Sequence, residues 1–380
     1  MNCSLEFGLL IRNFGRLPAA EGSASSHDRE IPNSATQGPT FSLVTPDLQR
    51  LLRDTSRSFY LTLRVLPGTV RLQIGLAYLL ARATDTIADT ELVPVADRLQ
   101  ALRALRGRIE GNREERLDLA PLVAAQPHQG PPAERKLLGQ IESVLQWLPT
   151  QPPADQCDIR AVLATITSGQ ELDLQRFGKT TGKTPVALGS DAELDDYTYR
   201  VAGCVGEFWT RLTRRHVFPR ERLDEACFLA DGIRFGQGLQ LVNILRDLPR
   251  DLRTGRCYLP GPALTELGLK PADLLDPATE PRLRPLYDSW LAKAAGHLEA
   301  GWRYTESVPA NQRRLRLACA WPLLIGARTL AKLRAGPVLD PGQRLKISRR
   351  EVRSLILGSL WRLPFRDAWA GQFRRASSKQ

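Results

Sequence analysis

Three observations predict an all-α fold for this chain. Nearly every long segment after residue 45 repeats its apolar residues at helical rather than alternating spacing. The 27 prolines and 29 glycines fall largely at the joints between those segments. Two aspartate pairs, Asp85/Asp89 and Asp247/Asp251, lie four residues apart inside apolar runs. At about 3.6 residues per turn, that spacing stacks both side chains on one helix face. A content of 42% hydrophobic and 25% charged residues suits a globular protein that buries a sizeable core.

Taken in order, residues 1–41 are rich in Ser, Gly, Ala and Pro without periodicity and read as a disordered N-terminal extension. Thr45-Pro46-Asp47 opens the first helix, with a capping hydroxyl followed by proline in the first turn. This helix is expected to run to Leu66 and to stop at Pro67-Gly68. Thr69 can cap the next, which continues through Leu79 and Leu80 to Asp89. Further helices are expected near 94–111, 132–147, 155–177, 191–214, 220–252, 283–307, 310–335 and 348–362. The Pro/Gly-rich pieces at 121–132, 149–154 and 260–265 read as loops. Pro249 falls inside one expected helix and removes a backbone hydrogen bond, so a kink or break is expected there. The helical domain spans 42–353, and 354–380 forms an amphipathic basic C-terminal tail. Arg362, Arg366 and Asp367 prevent that tail from spanning a bilayer. Trp361, Phe365, Trp369 and Phe373 recur every four residues with arginines between them. That pattern fits a helix lying on a membrane surface, and equally a tail packed against the domain.

The net charge of +12 suits a polyanionic partner such as anionic lipid, a diphosphate or nucleic acid. The absence of zinc-finger spacing, an RNA-binding signature or a recognition-helix pattern argues against nucleic acid. Six scattered cysteines show no metal-ligand spacing and read as buried thiols in a reducing compartment. No run reaches the ~18 apolar residues of a membrane span, and the N-terminus lacks a secretory layout. The expected location is cytoplasmic, with peripheral membrane contact at most.

The chemistry-bearing residues form two stripes. Tyr78, Arg82, Asp85 and Asp89 follow spacings of four, three and four, which place a phenol, a guanidinium and two carboxylates on one face. Such a set can bind a magnesium diphosphate, with arginine forking a phosphate and the carboxylates on the metal. Gln240, Asn243, Asp247 and Asp251 share a second face, with Arg246 beside it. Amides inside a segment as apolar as Leu239–Leu245 point to a lined cavity rather than a solvated surface. Facing helices of a bundle can bring two such stripes together.

Five ordered segments resemble the squalene/phytoene synthase family: Asp54–Phe59, Tyr78–Asp89, Tyr197–Gly206, Gln240–Asp247 and Gly255–Pro260. The resemblance covers roughly residues 45–355. Within the family, Cys319–Leu330 and the basic stretch Leu345–Arg350 are more similar to the squalene synthases than to their carotenoid relatives. The resemblance implies a single isoprenoid-synthase-type domain with two Asp-rich helices flanking a central cavity. It implies that Asp85, Asp89, Asp247 and Asp251 hold Mg²⁺, and that Ser56, Arg57, Phe59, Tyr78, Arg82, Gln240, Asn243 and Arg246 bind substrate. Tyr197 matches the tyrosine assigned to proton removal during cyclopropane formation. An ordinary tyrosine titrates near pH ~10, so neighbouring groups must help it. Lys346, Arg349 and Arg350 would contact NADPH; no glycine fingerprint for a dinucleotide is present. Where the family often has an acid directly before the last aspartate of the second motif, this chain has Arg250.

The implied reaction joins two farnesyl diphosphates head to head into presqualene diphosphate and reduces that to squalene with NADPH. Enzymes of the same fold stop at presqualene diphosphate or make dehydrosqualene or phytoene. A non-catalytic partner subunit that binds prenyl diphosphates is the alternative of another class.

Overall fold

The computed structural model describes residues 46–56, 59–125, 130–343 and 345–378. The expected N-terminal extension and Arg57 lie outside this set. The chain enters through α1 (Pro46–Ser56) and α2 (Phe59–Val65), then α3 (Gly68–Asp89) and α4 (Val95–Glu110). Four helices follow: α5 (Ala120–Ala125), α6 (Pro132–Gly139), α7 (Ile141–Leu145) and α8 (Pro153–Phe177). A short strand β1 (Val186–Leu188) leads into α9 (Asp191–Thr198), a π-helical turn (Tyr199–Gly203) and α10 (Cys204–His216). After α11 (Glu225–Arg253) come β2 (Arg256–Pro260), α12 (Gly261–Glu266), α13 (Glu280–Ser307) and α14 (Arg313–Ala335). The described chain closes with α15 (Arg349–Arg362) and α16 (Arg366–Ser377).

The all-α expectation holds for the architecture, with specific differences. Gly68 already belongs to α3, so Thr69 lies in its first turn and does not cap it. The stretches expected as loops contain α5 and α12, each with proline in the first turn, where a missing N–H costs nothing. A parallel pair of strands, β1 and β2, was not expected; Val186 pairs with Arg256 and Ala187 with Cys257. Cys204, Cys257 and Cys319 are buried as expected, but Cys157 and Cys227 are exposed on helix surfaces.

Helix α3 is buried on nearly every side from Val70 to Ala88, and Leu76, Leu79, Leu80 and Ile87 are fully enclosed. A helix apolar all round belongs in the centre of a fold. The long helices α11 and α13 form the most extensive pairing, and α10 crosses α11 closely. A Cβ on Gly206 would lie 1.9 Å from the Gly232 carbonyl oxygen, and one on Gly236 would lie 2.0 Å from that of Ala202. Only glycine permits that approach. The π-turn is part of this crossing, since it contributes Ala202.

Helix α11 runs unbroken through Pro249, so of the expected kink or break the break does not occur. Proline there deprives the Leu245 carbonyl of its usual donor four residues on. The buried Tyr287 hydroxyl of α13 donates to that carbonyl at 2.9 Å and takes the donor's place. Tyr287→Phe is therefore expected to cost about 1–3 kcal/mol in urea unfolding, the range for an orphaned buried acceptor. In a Pro249→Ala background, where an N–H is restored, the same substitution should cost clearly less; equal costs in both backgrounds would refute this account.

Candidate active site

The first stripe sits where α3 emerges from the core. Arg82 is 9% exposed; it bonds Glu134 of α6, and its Nη1 lies 3.9 Å from Asp85 Oδ2. Burial alone would lower its pKa, but Tyr78, Glu134 and Asp85 outweigh burial and raise it, so the guanidinium stays charged. Its buried Nε has no acceptor among the described residues. Tyr78 donates to the Thr55 carbonyl at 3.2 Å, tying α3 to α1. The buried Asp85 accepts from Gln170 Nε2 of α8 at 2.8 Å. Asp89, the last residue of α3, is partly exposed. Its pKa is pushed up to about 6, first by desolvation and also by Glu134, against the pull of Arg256 and Arg82. Arg98 Nη1 donates to the Ala88 carbonyl at 2.7 Å and secures this helix end.

Facing it, α8 presents Asp173, 7% exposed. Asp173 Oδ2 accepts from the Tyr258 hydroxyl at 2.7 Å and from Arg256 Nη1 at 3.3 Å. Burial raises its pKa, opposed by Arg256 and Tyr258. Tyr197, from the last turn of α9, stacks on Tyr258 with ring centroids 4.9 Å apart and planes 20° from parallel. Its hydroxyl donates to that of Tyr258 at 3.4 Å, at the long end for such a bond. Asp85, Asp89, Gln170, Asp173, Tyr197 and Arg256 line a narrow pocket, partly open to solvent.

The second stripe joins this pocket electrostatically. Asp251 has its pKa pushed up to about 7, by burial first and then by Asp247, while Arg256 and Arg250 work against the shift. Arg256 thus bonds Asp173 and acts electrostatically on Asp89 and Asp251 as well. Arg250, at the position where the resemblance leads one to look for an acid, supplies Asp251 with a counter-charge. Arg246 grips Asp247 with two hydrogen bonds of 2.9 and 2.6 Å. Gln240 and Asn243 are buried on α11, and Asn243 Oδ1 has no partner among the described residues.

Other expected residues lie elsewhere. The Ser56 hydroxyl bonds the Leu52 carbonyl within its own helix. Phe59 begins α2, with its side chain outside the described set. Arg349 and Arg350 are exposed in the first turn of α15 and Lys346 is half-buried; none of the three lines the pocket. Gln170, Asp173, Glu134, Arg256 and Tyr258 were not singled out from the sequence. Gln170 and Asp173 stand among other polar residues of Ile166–Phe177, including Glu171, Gln175 and Arg176, so nothing local set them apart. Arg256 and Tyr258 stood inside a quoted segment without a role.

A hard, oxygen-binding cation fits this donor set. Asp173 Oδ1 and Gln170 Oε1 are buried without a partner among the described residues. Among the described residues no three acidic, imidazole or thiol groups converge on one point. Mg²⁺ does not need such a cage, because it takes one or two carboxylates and completes its shell with phosphate oxygens and water.

The model of the squalene/phytoene synthase family matches residues 52–351. The chain is 31% identical over 309 residues to a presqualene diphosphate synthase of Zymomonas mobilis, covering 81% of this chain and 88% of that protein. It is 27% identical over 307 residues to a bifunctional lycopene cyclase/phytoene synthase of Gibberella fujikuroi, covering 80% of this chain and 50% of that protein. The chain thus spans about half the length of such bifunctional relatives. Among solved structures, the complex of TcSQS with the ligand E5700 superposes with a TM-score of 0.68 at 21% identity, over 87% of this chain and 97% of the other. A dehydrosqualene synthase complex gives 0.57 at 20% identity, over 84% and 95%. These likenesses establish the isoprenoid-synthase fold in one domain. With the family match spanning most of its length, the chain belongs to the squalene/phytoene synthase family.

Proposed function

We propose that this protein joins two farnesyl diphosphates head to head into presqualene diphosphate, with Mg²⁺ as cofactor. The observation that carries this reading is the pocket in which Asp85 and Asp89 of α3 meet Asp173 of α8 and its partner Arg256, beside the stacked Tyr197–Tyr258 pair. Asp85, Asp89, Asp247 and Asp251 would hold the metal, which when bound neutralises charge on the departing diphosphate. Arg82 and Arg256 add fixed positive charge, and Arg82 has an uncommitted Nε–H for a phosphate oxygen. The π-faces of Tyr197 and Tyr258 suit an allylic cation. Burial of both rings, each 1% exposed, keeps water from trapping it. As the cyclopropane closes, a carbon-bound proton must leave. Tyr197 oxygen takes it while passing its own proton to Tyr258, which gives its proton to Asp173, along the hydrogen bonds already in place. Desolvation makes Asp173 a better acceptor than an ordinary carboxylate.

A second reading continues to squalene with NADPH. It is favoured by the buried Cys319–Leu330 segment of α14 and by the positive charge of Lys346, Arg349 and Arg350, which a cofactor phosphate would need. An apolar product of either route also favours contact with a membrane surface.

Product analysis with purified protein, farnesyl diphosphate and Mg²⁺ is expected to yield presqualene diphosphate without NADPH. Squalene appearing only when NADPH is added would establish the second reading, whereas dehydrosqualene, or no product from farnesyl diphosphate, would overturn the first. Tyr197→Phe should lower kcat by about 100-fold or more, and Tyr258→Phe by about tenfold, with KM nearly unchanged. An unchanged kcat in Tyr258→Phe would remove the relay.

The raised pKa of Asp251 carries a sign. The folded chain keeps this proton up to about pH 7, against 3.8 for an ordinary aspartate, so stability is lost as pH rises between those values. Asp251→Asn, which cannot ionise, should therefore melt at a higher temperature than the parent above pH 7 without divalent cations. The advantage should close as pH falls towards 3.8, and thermal melts across that range check it.

A further inference from the structure

Among the described residues seven large apolar side chains are exposed, and four of them fall within residues 357–365. Trp361 is 79% exposed, Phe365 64%, Leu357 58% and Leu360 43%. Leu357, Leu360 and Trp361 share the outward side of α15, and Phe365 continues it at the turn into α16. An apolar cluster of this kind marks a contact surface, whereas single exposed apolar residues do not.

The segment is held firmly from its other side. Trp321 Nε1 donates to the fully buried Ser359 hydroxyl at 2.9 Å, and Val352 is enclosed. Trp369 and Phe373 of α16 stack on Trp302 of α13, with centroids 5.5 and 5.7 Å away. Packing against the domain therefore uses Trp369 and Phe373, two of the four aromatics of the tail pattern, and leaves Trp361 and Phe365 outside. The exposed face is fixed in place by contacts it does not itself make.

We propose that this face docks on an anionic lipid bilayer, with Trp361 and Phe365 entering the headgroup boundary. Charge complementarity selects this occupant. Residues 349–378 contain seven arginines and two acids. One of those acids, Glu351, is already paired with Lys332 at 2.7 Å and Arg328 at 3.3 Å. Arg353 and Arg366 are exposed, Arg362 is half-buried, and none of the three forms an ion pair among the described residues. Aromatic and leucine side chains flanked by arginine are the chemistry of an interfacial helix. A second copy of the chain would fit poorly, because a two-fold contact across this face would set its arginines against each other.

Flotation of the full chain with vesicles tests this, comparing an equal mixture of phosphatidylglycerol and phosphatidylcholine with phosphatidylcholine alone. The chain is expected to float with the anionic vesicles and much less with the neutral ones. Trp361→Ser combined with Phe365→Ser should weaken partitioning by about tenfold or more with an unchanged circular dichroism spectrum. Arg353→Gln with Arg366→Gln should reduce it on anionic vesicles alone. Failure of the parent to float, or equal flotation of the serine variant, overturns the proposal. So does a parent that is dimeric without lipid, becomes monomeric through the serine substitutions and ignores vesicles, since that assigns the face to a second copy.

Discussion

The site depends on one guanidinium. Arg256, 9% exposed, stands before Asp89, Asp173 and Asp251, carried by three different helices. Removing its charge would leave like charges facing one another in a desolvated space, which is among the most expensive arrangements a protein can hold. Even with it, burial keeps Asp89 and Asp251 poor acids.

Arg256 owes its position to a local backbone device. Gly255 adopts φ +87°, and a Cβ there would meet Thr180 Oγ1 at 2.5 Å. Glycine therefore lets the chain turn sharply out of α11 and pair β2 with β1. The strand then delivers Arg256 and, two residues on, Tyr258 to the same side, as the alternation of a strand requires. Both residues meet Asp173, which joins the positive group and the aromatic stack to one carboxylate.

Much of this was legible in the sequence, because helices announce themselves locally. Periodicity located the long helices to within a few residues, and the first aspartate pair falls on the pocket wall. The parts that escaped are those made by distant partners. A three-residue strand has too little length to show alternation, and its partner lies some seventy residues along the chain. Pro249 looked like a break because its remedy, Tyr287, is on another helix. The aromatic tail repeat gave two readings, and the structure divides its members between packing and exposure. Gln170 and Asp173 lie in a stretch rich in polar residues, so unlike Gln240 and Asn243 they did not stand out from their neighbours.

The π-turn at Tyr199–Gly203 has a consequence for how this region can change. A π-turn holds one residue more than the α-helical turn it replaces, which advances everything after it by roughly 100° around the axis. Tyr197 precedes the turn and Gly206 follows it, so the phase of the stacked tyrosine is uncoupled from that of the Gly206–Gly232 approach. A regular helix would have to satisfy both with one rotation. The two faces can therefore drift independently in sequence, one answering to the chemistry of the pocket and the other to the tightness of the helix crossing, so long as the extra residue is kept.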